Sequence, residues 1–231
     1  NHDTALECYS KSLEIRLITL GENDVAVAHS YSNIASVYCA KHDYTRAQEF
    51  YTKAVTIEIR QLGECHLDVS RSYENIGNVC FMQGDYDKAT DYYEESLRIR
   101  LQLFGESDVD VAALYYDIGN ECREDGDYDN ALGYHTKSLS IRLSKLHENH
   151  PDVARSYIII GVVHRGKGDN ERALEYYNKS LAIQLDTLGE NHPDVASSYN
   201  NIGIVFWAKD DIEKAVEYFD KSLTIQLNSL G

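Results

Sequence analysis

The side chains best suited to chemistry in this sequence are nine histidines and five cysteines, and their spacing argues against catalysis. His147-Glu148-Asn149-His150 sets two histidines three residues apart in a linker. A helical zinc site of the HExxH kind needs them four apart on one face. Cys8, Cys39, Cys65, Cys80 and Cys122 are odd in number and contain no CxxC pair, so they read as free thiols of a reducing, cytoplasmic compartment. No Ser-His-Asp order, phosphate-cradling glycine loop or paired buried carboxylate stands in a suitable context. The expectation is therefore no enzyme, no metal and no cofactor. The remaining reactive group is the guanidinium, whose planar fork matches a carboxylate, so recognition rather than bond-making is the chemistry to look for.

The bulk charge narrows the partners. With 22 Lys+Arg against 38 Asp+Glu the formal net charge is -16, which repels phosphate backbones and anionic lipid and points away from nucleic acid and membrane. Apolar runs such as Tyr157 to Val163 are far short of the roughly 20 residues of a membrane span. A hydrophobic content of 43% suffices to bury a core. Asn178-Lys179-Ser180 has the form of a glycosylation sequon but falls inside a predicted helix. The chain opens on Asn1 without an initiator Met or leader and reads as a fragment.

What must position the candidate residues is a repeat. Gly21, Gly63, Gly105, His147, Gly189 and Gly231 fall in one column at a spacing of 42, with no insertion anywhere. This divides the chain into a leading second helix (1–20) and five full repeats: 21–62, 63–104, 105–146, 147–188 and 189–230. The last two share about 25 of 42 residues and are recent copies. Within each repeat the apolar residues step twice at helical spacing, as in Val27, Tyr31, Ile34, Ala35, Tyr38 and then Ala47, Tyr51, Ala54, Val55, Ile59, Leu62. A short hinge separates the two helices. Gly84, Gly126 and Gly168 are suited there to a left-handed conformation, and Asp43, Asp85, Asp127, Asp169 and Asp211 are expected to cap the second helices. Small residues recur where helices must approach closely: Gly77, Gly119, Gly161 and Gly203 in first helices, and Ala47, Ala89, Ala131, Ala173 and Ala215 in second helices. His164, in the column of Tyr38, Cys80, Cys122 and Phe206, reads as a core histidine. The pattern predicts an all-α chain of about eleven helices.

The columns Tyr-x-Asn-Ile-Gly, Gly-Asp-Tyr and Ala-x-x-Tyr-Tyr-x-Lys-Ser-Leu resemble the tetratricopeptide repeat, stretched from 34 to 42 residues as in kinesin light chains. The likeness covers the whole chain. It implies a right-handed α-solenoid of antiparallel helix pairs, with first helices lining a concave groove that holds peptides. On that reading the inward positions include Arg71, Glu74, Asn78, Phe81, Tyr116, Asn120, Arg123, Arg155, Ile158, Arg165, Asn200 and Trp207. Four of the eleven arginines lie in these columns, so Arg71, Arg123, Arg155 and Arg165 are candidates for a basic seam, with Phe81, Tyr116 and Trp207 as anchors for apolar side chains. The family's peptide-holding asparagine column corresponds to Asn33, Asn75, Asp117, Ile159 and Asn201. The fourth repeat departs from it with Ile158-Ile159-Ile160, a run read as an apolar pocket or a patch covered by another chain.

The resemblance therefore implies a non-enzymatic adaptor or scaffold whose partner is a protein or an acidic and apolar peptide. The alternative is a self-assembling scaffold acting through the solenoid ends and the convex face, where Asp91, Glu94 and Glu95 serve mainly solubility. Two local anomalies carry expectations of their own. Glu121 interrupts the column of Val37, Val79, Val163 and Val205, so an arginine, Arg123 or Arg165, or water should satisfy it. Leu6, Tyr9 and Leu13 at one end, and Ile225, Leu227 and Leu230 at the other, should lack the cover their column mates have, favouring a monomer or a weak dimer through the terminal helices.

Overall fold

A computed structural model describes residues 2–228. Among the described residues there are eleven α-helices and no strand: α1 (His2–Leu20), α2 (Val25–Ala40), α3 (Tyr44–Leu62), α4 (Leu67–Met82), α5 (Tyr86–Phe104), α6 (Val109–Glu124), α7 (Tyr128–Lys145), α8 (Pro151–Gly166), α9 (Asn170–Leu188), α10 (Pro193–Ala208) and α11 (Ile212–Asn228). The chain forms two compact units, residues 1–125 and 126–231. In the first, α2 packs on α3 and α4 on α5, while α1, α3 and α5 each pack on the first helix of the next repeat. In the second, α8 pairs with α9 and α10 with α11, with α7 and α9 making the same onward contacts.

Local chemistry sets the helix ends. At the hinges Gly84, Gly126 and Gly168 are left-handed, with φ of 77°, 84° and 79°. Repeats one and five force non-glycine residues into that region: His42 at 59° and Asp210 at 62°. The side chains of Asp43, Asp127, Asp169 and Asp211 accept from the backbone three residues on, at 3.1–3.2 Å. Asp85 departs from this expectation: it occupies the cap position but makes no cap bond, its carboxylate being drawn to Lys88. Before α4, α8 and α10 the cap is a histidine, with Nδ1 of His66, His150 and His192 accepting from the backbone two residues on. Where His147 replaces the periodic glycine, α7 stops at Lys145 and Leu146 turns extended, because no left-handed glycine carries the last turn onward.

The core lies between first and second helices. A Cβ built on Gly77, Gly161 or Gly203 would come within 2.9, 2.7 and 2.7 Å of the rings of Tyr93, Tyr177 and Phe219, so these glycines are where a first helix rides over an aromatic of its own second helix. Ala47, Ala89, Ala131, Ala173 and Ala215 are completely buried. Within the Ile158-Ile159-Ile160 run, Ile158 lines a cleft while its two neighbours turn into the core. Ile159 and Ile160 are buried and Ile158 packs against the core of the second unit, because consecutive helical residues are rotated about 100° apart and two of the three face inward. Ile225 likewise needs no further repeat: it is buried in that same core. Leu227, at 60%, and Tyr9 are exposed as expected, but Leu6 and Leu13 are half-buried and Leu13 packs against the core of α2 and α3; Leu230 lies outside the described residues.

Candidate functional site

The first-helix positions expected to bind a ligand divide between the two units. In the first unit, α4 carries Arg71, Glu74, Asn75, Asn78 and Phe81, and α6 carries Tyr116, Asn120 and Arg123. In the second, α8 carries Arg155, Ile158 and Arg165, and α10 carries Asn200, Asn201 and Trp207. All fourteen are half-buried or exposed.

Several of these side chains are already engaged. Arg71 lies 3.8 Å from Asp68 and Arg155 2.7 Å from Asp152, each acid being one helical turn earlier. Arg123 is hydrogen-bonded to Glu124. Such exposed pairs contribute little stability, and a ligand carboxylate can compete for them. Glu74 accepts from Arg100, and Phe81 packs on Tyr86 at a ring separation of 5.5 Å. Asn78 accepts from the Tyr93 hydroxyl at 2.5 Å, as Ser36 meets Tyr51 at 2.9 Å one repeat earlier. Val162 stands in the equivalent place in repeat four, so the buried hydroxyl of Tyr177 has no hydrogen-bond partner. Among the described residues Arg165 has neither an ion pair nor a hydrogen bond; burial raises the Tyr177 hydroxyl above its ordinary value, and Arg165 offsets this only in part. Arg155, Ile158, Gln184, Asp194 and Ser197 line a cleft in this unit. Trp207 is 61% exposed.

The arginine expected to neutralise Glu121 is absent from it. Glu121 is 3% exposed, its Oε2 has no partner, and burial with Asp117 and Glu124 nearby pushes its carboxyl up to about 8. Protonation takes the place of an ion pair. His164, as expected, is a core residue: it stacks on Tyr176 with 5.4 Å between centroids, and Nδ1 lies 3.5 Å from Asp169.

Sequence reasoning missed a second polar column. Arg16, Glu58, Arg100, Arg142 and Gln184 sit 42 residues apart on second helices and reach the next repeat. Arg16 donates to Ser30 at 2.9 Å, Ser72 to Glu58 at 2.6 Å, Arg142 to Ser156 at 2.7 Å and Ser198 to Gln184 at 2.6 Å. In repeat three the serine is replaced by Leu114, and Arg100 turns back to Ser70 and Glu74. The signal was present as polar residues spaced by fourteen on otherwise apolar faces. The change of residue type down the column, from arginine to glutamate to glutamine, hides it from a search for like residues.

Among the described residues no helix is long and apolar enough to cross a membrane, and no group of three or more metal-binding side chains gathers. The sequence profile of the tetratricopeptide repeat matches residues 1–60, 26–102, 68–144, 110–186 and 152–228. No curated protein matches the chain in a sequence search. The fold is similar to that of BtubC (BKLC) from P. vanneervenii, at TM-score 0.84 and 22% identity, covering 100% of this chain and 93% of that one. It is also similar to a kinesin-light-chain-like protein of Podosopora anserina with nearly identical TPR-like repeats, at TM-score 0.79 and 18% identity, covering 89% and 98%. MamA from Desulfovibrio magneticus RS-1 follows at TM-score 0.65 and 18% identity, covering 87% and 96%.

Proposed function

This chain belongs to the tetratricopeptide repeat family, whose members are in general protein-interaction modules, and from that premise we propose that it is a non-enzymatic adaptor or scaffold binding extended peptide segments with acidic and bulky apolar residues. The observation that carries the reading is the unengaged guanidinium of Arg165. Among the described residues it meets no acid, and seven residues after Ile158 on α8 it shares that residue's helix face. The Arg165 guanidinium is left to donate to a ligand carboxylate. Its free thiols suit a cytoplasmic setting.

Titration calorimetry against peptides pairing acidic with large apolar residues tests the proposal. Arg71→Ala, Arg155→Ala and Arg165→Ala, made singly, should each weaken binding by about 1–3 kcal/mol. Undiminished affinity in all three variants overturns it. The second reading, assembly through the ends, draws on the exposed Ile15 and Ile18 of α1 and Leu223 and Leu227 of α11. Light scattering across a dilution series, repeated with Leu227→Lys, decides that reading: association unchanged by the substitution removes α11 as the contact.

A further inference from the structure

In four of the five full repeats a lysine of the second helix lies over an aromatic of that helix, and in repeats one, four and five over a pair of rings. Lys53 is 5.8 and 5.0 Å from the centroids of Tyr31 and Phe50. Lys179 is 5.9 and 5.1 Å from Tyr157 and Tyr176, and Lys221 is 5.8 and 4.9 Å from Tyr199 and Tyr218. In repeat three Lys137 stands 5.4 Å from Tyr134. Repeats four and five add a carboxylate one turn before the lysine, Glu175 and Glu217, each at 2.6 Å. The arrangement is an ammonium held by two π faces and an acid.

Repeat two keeps the holders and lacks the held group. Tyr73 and Tyr92 are 6.1 Å apart at 29°, against 5.9–6.1 Å at 37–45° for the lysine-covered pairs. Asp91 stands where Glu175 and Glu217 stand, exposed and without an ion pair. Glu95 occupies the lysine position. Its carboxylate holds Arg98 at 2.8 Å, and although Arg98 bears on the Tyr73 hydroxyl and Lys88 on that of Tyr92, no cation of the described residues stands over either ring. Burial, then Glu95 and Glu64, raise the Tyr73 hydroxyl above its ordinary value, with Arg98 opposing.

We propose that Tyr73, Tyr92, Asp91 and Glu95 form a binding site for an alkylammonium group supplied by a ligand, which takes the place that Lys53, Lys179 and Lys221 fill from within. The lysine side chain of a partner protein and a free quaternary amine share this chemistry. The site uses none of the groove residues, so it stands or falls separately from the peptide-binding reading.

Saturation-transfer NMR on the full chain tests it, with tetramethylammonium and N-acetyl-lysine methylamide as probes. A site of this kind binds in roughly the millimolar range, given the modest strength of exposed cation–π contacts. Glu95→Lys supplies the missing internal lysine and should cut transfer to both probes at least about five-fold, as should Tyr92→Leu. The urea midpoint of Glu95→Lys should equal or exceed that of the parent, which separates a filled site from an unfolded one. Transfer to both probes assigns a partner's lysine as a fitting source, and transfer to tetramethylammonium alone assigns a free quaternary amine. No transfer to the parent chain, or transfer unchanged by Glu95→Lys in a folded variant, overturns the site.

Discussion

Tyr93 donates its hydroxyl proton to Oδ1 of Asn78 fifteen residues earlier, and the same spacing in repeat four brings Tyr177 to Val162, which has nothing to accept it. Val162→Asn should therefore stabilise the second unit by about 1 kcal/mol through one new buried hydrogen bond. Urea denaturation measures it. An unchanged or lower midpoint would show that Tyr177 loses nothing by being unpaired.

Glu121 makes stability depend on pH in an unusual direction. Its carboxyl is raised from 4.5 to about 8 in the folded chain, so between those values the native state holds a proton that the unfolded state has released. Stability from this group is complete below about 4.5, falls as pH rises, and is fully lost above about 8. Glu121→Val should flatten that slope and raise stability at pH 8 by about 1–3 kcal/mol. Urea midpoints of parent and variant at pH 5.5 and 8.5 settle the matter: a gap between them that does not widen with pH contradicts the assignment.

Two glycines in helices should respond oppositely to alanine. Gly161→Ala brings a Cβ within 2.7 Å of the Tyr177 ring and should destabilise by about 1–3 kcal/mol despite better helix propensity. A methyl group added at Gly133, in α7, would meet nothing within 4 Å, so Gly133→Ala should stabilise by roughly 0.5–1 kcal/mol. Thermal melts of the pair check both signs.

The hinge of repeat one offers the reverse exchange. His42 holds φ at 59°, where repeats two to four use glycine, and His42→Gly should stabilise by about 0.5–1 kcal/mol. The 2.9 Å contact between His42 Nδ1 and the Tyr44 hydroxyl is exposed, and its loss offsets little of this. A lower melting temperature would show that the contact outweighs the backbone strain.

Helix positions, hinges and the close approach at the helical glycines were legible because each depends on one column and its periodic neighbours; the aromatic ring beneath each glycine was not. The site was legible only as a set of positions. Whether Arg165 is unpaired and Arg155 is paired depends on which residue lies one turn away: Asp152 precedes Arg155, and no acid stands at the same offset from Arg165. That Asn78 is engaged while its counterpart Val162 leaves a hydroxyl stranded is a relation between two helices, which a single column does not show. Glu121 was recognised as anomalous, but its resolution by a retained proton depends on the depth of burial, and sequence gives only the position.

The polar contacts between repeats also act as an address system. Arg142 meets Ser156 and Gln184 meets Ser198, so removing residues 147–188 would present Arg142 to Ser198, still a donor facing an acceptor. Setting repeat three directly after repeat one would instead bury Glu58 against Leu114, with no hydroxyl to meet it. By this contact alone, removing a whole unit near the carboxyl end, where neighbouring copies are also most alike, keeps a matched pair, while skipping the second repeat creates a mismatch.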